Sequence, residues 1–231
     1  RSTPSASRRF GTAQAVSGTL EEIASLIEAA GGRALIVPAD LERADERDSL
    51  IGQAVAAAGR LDILVNNAGF ADYARIEAMS EETFARTLTH YLHAPFALCR
   101  AAIPILRANA GGGTGAAGWI VNIGSVTALP PVRPYADYAK AGGDTLYAAV
   151  KAALNRFSQG LAAELVDDGI AVNVVGPSTA IRTPGASALI PDEYPTEDVA
   201  YLAQTVLDMC HLPAAERTGQ IAYSKIGRAH V

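Results

Sequence analysis

Trp119-Ile120-Val121-Asn122-Ile123-Gly124-Ser125 decides the fold. A short, almost wholly apolar run ends abruptly in two small residues. A strand buried on both faces reads this way, because it has no solvent side on which to alternate polar residues. The pattern recurs. Asp62 to Val65 runs into Asn66-Asn67-Ala68-Gly69, Ile170 to Val175 into Gly176-Pro177-Ser178-Thr179, and Ala34 to Pro38 ends just before Asp40. A fifth run covers Gln220 to Tyr223. Between the runs lie stretches with helical periodicity: about Thr19 to Ala30, Ala44 to Ala58, Ser80 to Arg107, Leu146 to Val166 and Thr196 to Met209. Strands alternating with helices predict βαβ units, hence a parallel sheet with helices on both faces. The expected class is α/β with a Rossmann-like doubly wound sheet.

Composition fits one such unit. The chain has 231 residues, 49% of them apolar, and a net charge of −5 from 19 basic and 24 acidic side chains. That balance carries no footprint for nucleic acid and no polyelectrolyte character. No apolar run approaches the roughly 18 residues of a membrane span. Cys99 and Cys210 form no spacing pattern and read as reduced thiols, so a cytoplasmic protein is expected. Residues 1–224 read as one domain. The ending Lys225 to Val231 reads as a non-native tail, and His230 is given no role. Arg1 to Thr12 reads as a polar loop, Asn109 to Gly118 as a Gly-rich surface loop, and Thr127 to Asp144 as a loop on the substrate side.

In an open α/β sheet, ligands bind beyond the carboxyl ends of the strands. The small residues after each run are therefore the candidate site. Tyr147 is followed four residues later by Lys151 in a stretch that should be helical, so both lie on one face. None of the other tyrosines has Lys at that spacing. A phenol has a reference pKa near 10, and a neighbouring ammonium favours the phenolate. Lowering that value by about three units needs roughly 4 kcal/mol, more than one partly screened lysine supplies. Ser125, at a strand end upstream, is placed to hold a carbonyl oxygen.

Asn66-Asn67-Ala68-Gly69, then Ile120 to Ser125, then Tyr147-Ala148-Ala149-Val150-Lys151 resemble the short-chain dehydrogenase/reductase family in order and context. The resemblance covers about Arg1 to Ser224. It implies that Tyr147 is the general acid/base, that Lys151 lowers its pKa and binds the nicotinamide ribose, and that Ser125 orients the substrate oxygen. It places Asp40 near the adenine, Asn67, Ala68 and Gly69 along the cofactor, and Pro177 and Thr183 beside the nicotinamide. The implied reaction is hydride transfer between NADP or NAD and an alcohol or carbonyl of a small molecule. A homodimer or homotetramer is implied through the helices of Ser80 to Arg107 and Leu146 to Val166.

The chain departs from the family pattern in several places. Tyr91 stands where relatives carry an Asn that supports a proton relay. The gap from Ser125 to Tyr147 is long, the usual Pro-Gly turn reads Pro177-Ser178, and Thr183 comes one residue late. No Gly-rich phosphate loop precedes Thr19, so the first βα unit is expected to be missing and Arg1 to mark the end of the second strand. An Arg there resembles NADP-preferring members. The alternative reading is a cofactor-binding protein of this fold with impaired catalysis. Lyases and dehalogenases on the scaffold lack the Lys, and enoyl reductases use a longer Tyr-to-Lys spacing.

Overall fold

The fold comes from a computed structural model that describes residues 6–9, 12–15, 18–70, 72–109, 117–183, 190, 192–224 and 227–229. β1 (Ala6–Arg9) and β2 (Thr12–Ala15) pair antiparallel, followed by α1 (Leu20–Ala29), α2 (Ala44–Ala58) and β3 (Ile63–Asn66). β4 (Asp72–Tyr73) pairs with β1. Then come α3 (Glu81–Leu88), a π-turn (Thr89–His93), α4 (Ala94–Ala108), β5 (Gly118–Ile123), the short α5 (Asp137–Ala141) and α6 (Thr145–Leu165). β6 (Ile170–Gly176), β7 (Ala180–Ile181), β8 (Thr196–Glu197), α7 (Val199–Asp208), β9 (Ile221–Tyr223) and β10 (Gly227–Ala229) complete the order.

Helix starts follow local chemistry. Thr19 opens α1 with a reciprocal capping box: its Oγ1 accepts from Glu22 N at 3.2 Å, and Glu22 Oε2 accepts from Thr19 N at 2.9 Å. Ser80 opens α3 by accepting from Thr83 N at 3.1 Å. The main sheet runs β10-β9-β6-β5-β3, with β3, β5, β6 and β9 parallel and β10 antiparallel. All seven residues of β6 are buried, as a strand covered on both faces must be. Leu64, Ile120 and Val172 pack on one face against Ile51, Leu98, Leu106 and Leu161 of α2, α4 and α6. Val121, Val175 and Ala222 meet Met209, Leu202 and Val206, at and beside α7, on the other. Helices on both faces make the sheet doubly wound.

Several expectations change. Ala34 to Pro38 is not a strand: among the described residues it pairs with nothing, and Leu35 and Ile36 are 47% and 40% exposed. Sheet structure needs a neighbouring ladder, and no described strand lies on the outer edge of β3, where Ile63 and Val65 are also exposed. α1 buries none of its residues, and Ile23 and Leu26 face outward. The stretch read as a loop before Thr12 contains β1 instead. The long helix expected over Ser80 to Arg107 is interrupted by the π-turn. Thr196–Glu197 is a strand rather than the start of α7. Gly227–Ala229, within the tail set aside from the fold, adds to β9, a pairing open to any extended backbone at a sheet edge. His230 lies outside the described residues.

One buried polar ladder ties the sheet to α6. Asn66 Nδ2 donates to Asn122 Oδ1 at 2.7 Å, and Asn122 Nδ2 donates to Ser158 Oγ at 2.8 Å, with Asn122 fully buried. Replacing Asn122 leaves the Asn66 amide without this acceptor in the interior. We expect Asn122→Leu to lower stability by about 2 kcal/mol, read as a lower urea midpoint at unchanged slope. Val132→Ser, at a position 81% exposed, should stay within about 0.5 kcal/mol.

Candidate functional site

The site forms where β5 and β6 end side by side. Gly124 N donates to Val175 O at 2.8 Å, and a Cβ on Gly124 would sit 2.6 Å from Val174 Cγ1. Only glycine permits this approach. The next residue, Ser125, is thereby set at the strand end, buried to 7% exposure. Its Oγ accepts from Thr127 N at 3.2 Å and pairs with Thr127 Oγ1 at 2.9 Å, close enough to Tyr147 to act on its phenol.

Tyr147 and Lys151 come from successive turns of α6. Lys151 is 5% exposed and its Nζ donates to Ile123 O at 2.6 Å, fastening the helix to the end of β5. Burial pushes the Tyr147 phenol up to about 12, against the Ser125 hydrogen bond and with help from Asp144. Burial likewise pulls the Lys151 amine down to about 7. Burial, rather than the neighbouring ammonium, dominates the phenol in this structure. Both groups are withdrawn from water, and withdrawal disfavours the charged form of each.

Tyr91, carried inward by the π-turn, closes the other side. Its hydroxyl accepts from Phe70 N at 2.7 Å and donates to Phe70 O. A Cβ on Gly69 would lie 2.7 Å from Tyr91 Cε1, so Gly69 lets the ring pass beneath the turn after β3. The Tyr91 and Tyr147 rings meet edge to face at 5.1 Å, and Tyr73 approaches Tyr147 at 5.3 Å. Burial drives the Tyr91 phenol well above its ordinary value.

Ser125, Tyr147 and Lys151 are thus brought together, and Gly69 joins them through Tyr91. Asn67 and Ala68 stand exposed on the same turn. Asp40 lies in the loop before α2, accepting from Glu42 N at 3.1 Å. Glu42 in turn accepts from Arg86 at 3.2 Å and contacts His90 Nε2 at 2.9 Å, beside Tyr91. Pro177 follows β6, half-buried, and Thr183 is exposed two residues beyond β7. Arg1 lies outside the described residues. Two participants gave no signal in the sequence. Tyr73 is one of several scattered tyrosines. Buried Glu197 accepts from Ser178 Oγ at 2.6 Å and from Ser224 Oγ, clasping the segment after β6 to the end of β9.

Residues fit a nicotinamide here on structural grounds. The turn at Asn67 to Gly69 is exposed, Gly124 leaves no room for a side chain at its strand end, a Cβ on Gly176 would stand tightly at 3.1 Å from Ser125 N, and Asn66 Oδ1 and Asn155 Oδ1 are buried without a hydrogen-bond partner among the described residues. No group of metal-ligating side chains occurs among the described residues, and no described helix is long and apolar enough to cross a membrane.

Comparison with known proteins identifies the family. The model of the family described as short chain dehydrogenase matches residues 10–193. An uncharacterized oxidoreductase of Thermotoga maritima is 35% identical over 159 residues, 69% of this chain and 57% of that protein. The 3beta-hydroxysteroid dehydrogenase 1 of Eggerthella lenta is 34% identical over 163 residues, 71% of this chain and 57% of that protein. A Beutenbergia cavernae structure, described as an NAD(P)-dependent gluconate 5-dehydrogenase with bound NADP, superposes with a TM-score of 0.73 at 26% identity, covering 89% of this chain and 80% of that one. The chain spans little more than half the length of the curated relatives it matches. With the family model matching most of its length, the chain belongs to the short-chain dehydrogenase family.

Proposed function

We propose that this protein is an NAD(P)-dependent oxidoreductase acting on an alcohol or carbonyl group of a small molecule. One observation carries the reading: Ser125 at the strand end, Tyr147 and Lys151 come together in one place, with Lys151 Nζ on the Ile123 carbonyl at 2.6 Å and 5.7 Å from the centre of the Tyr147 ring. Two hydroxyls so placed can converge on one substrate oxygen. Ser125 would hold that oxygen and Tyr147 would deliver a proton to it in reduction or withdraw one in oxidation. A phenol kept neutral by burial suits the acid role. When bound, the nicotinamide supplies or accepts the hydride. Asn67, Ala68, Gly69, Pro177 and Thr183 would line its place, Lys151 its ribose and Asp40 the adenine end, with Arg1 favouring NADP over NAD.

We also propose that a further strand–helix unit carrying a phosphate-binding turn completes the sheet along the bare edge of β3. The exposed Ile63, Val65, Leu35 and Ile36 support this. A second copy is proposed to pack on α4 and α6. Phe96, 45% exposed, meets Phe157 there at 6.3 Å, in a groove flanked by Arg100, Arg156 and Glu164. The two free cysteines fit a reducing, cytoplasmic setting. A second reading, a cofactor-binding protein with impaired catalysis, is favoured by Tyr91.

Three outcomes test these readings. With the proposed unit attached, Tyr147→Phe should cut turnover of a ketone and alcohol panel by about 10²–10⁴-fold, while nicotinamide binding by fluorescence changes little. No turnover by the unsubstituted protein on that panel would favour the second reading. Reduction needs neutral Tyr147, which burial preserves to about 12, and profits from a charged Lys151, which loses its proton above about 7. The kcat/KM for reduction should therefore decline as pH rises through about 7; a decline centred near 10 would assign the limb to a freely titrating phenol. Phe96→Glu should shift light-scattering mass from dimer to monomer if α4 and α6 form the interface.

A further inference from the structure

We propose that Tyr91 is a positioning residue whose ring face holds the Lys151 ammonium, while its hydroxyl pins the turn after β3. The importance of Lys151 rests on the function proposed above; the contact itself does not.

Lys151 has three N–H donors when charged, and one protein acceptor, Ile123 O at 2.6 Å, takes one of them. No ion pair joins it to a carboxylate among the described residues. What lies beside the amine instead is the Tyr91 ring, with Nζ 4.3 Å from its centroid. The Tyr147 ring is farther, at 5.7 Å. A cation within about 6 Å of an aromatic face is attracted by the ring's negative face, most strongly away from water. Both partners meet that condition, at 5% and 7% exposure.

The ring is also held in place. Two hydrogen bonds fix its hydroxyl to Phe70, Gly69 gives it passage, and the Tyr147 ring stands at 87° to it. The π-turn supplies the backbone shift that carries it inward, as such turns do at functional sites. The titratable groups that act on the two rings beside the amine are Asp144, at the cap of α6, on Tyr147, and Tyr147, Tyr73 and Asp72 on Tyr91. Asp72 faces Arg86 at 3.5 Å, and His90 of the π-turn faces Glu42. Of the two rings beside the amine, the Tyr91 face is the nearer, at 4.3 Å against 5.7 Å, and with the Ile123 carbonyl it favours the charged form.

The test reads Lys151 directly. The chain contains three lysines, Lys140, Lys151 and Lys225, so side-chain NMR of labelled lysine resolves each by substitution. Tyr91 is replaced by phenylalanine, then by 4-fluoro-, 3,5-difluoro- and 3,4,5-trifluorophenylalanine, which weaken the face stepwise at nearly constant shape. The Lys151 midpoint should stay within about 0.3 pH units for Tyr91→Phe and fall progressively along the series, by about half to one and a half units in all. Exposed Lys140 should not move. Tyr91→Leu should lower the midpoint at least as far; if that variant does not fold, the fluorinated series carries the test. A flat series, or a full shift already at Tyr91→Phe, overturns the proposal. The titration needs neither substrate nor cofactor. An inactive protein with a sloping series would sink the proposed function alone, and an active one with a flat series would sink this inference alone.

Discussion

The close approach of β5 and β6 at their carboxyl ends is the constraint on which the site depends. Gly124 has room for no side chain, and Gly176 next to it meets Ser125 N at 3.1 Å from where a Cβ would stand. With the two ends that near, Ser125 is delivered to the centre of the sheet edge rather than into a loop. Ile123 O is left facing α6, where Lys151 takes it. The helix is then seated so that Tyr147, one turn earlier, comes beside Ser125. The Asn66–Asn122–Ser158 ladder fixes the same helix from below.

Burial dominates the electrostatics that follow. Withdrawing a phenol and an amine together from water opposes charge on both, so proximity alone does not produce a phenolate–ammonium pair. The resting site is closer to a neutral acid beside a weakly held cation. Aromatic faces and a backbone carbonyl, rather than a carboxylate, set how strongly that cation is held.

Much of this was legible in the residues. Continuous apolar runs ending in small residues located β3, β5, β6 and β9, because strands buried on both faces leave that mark. The spacing of Tyr147 and Lys151, with Ser125 at a strand end upstream and the family resemblance, pointed to a candidate catalytic group that the structure brings to one place. What failed to show was non-local. Ala34 to Pro38 has strand composition, but a ladder needs a neighbour and none is described. The inward turn of Tyr91 depends on a π-turn that periodicity cannot separate from a continuous helix. Glu197 looks like any acidic residue before a helix until its serine partners, 19 and 27 positions away, are brought to it.

That glutamate has a consequence for how such a protein can diversify. The parallel pairing of Ala180 with Thr196 and of Ile181 with Glu197 holds two points of the chain together beside the site. Glu197 then locks the junction to both neighbouring strand ends. Whatever sequence joins Ile181 to Thr196 enters and leaves through a fixed doorway. Its length and chemistry can be exchanged, as a cassette, without re-aiming Tyr147, Ser125 or Pro177. On the function proposed above, the chain beside the site can thus change while Ser125, Tyr147 and Lys151 stay still.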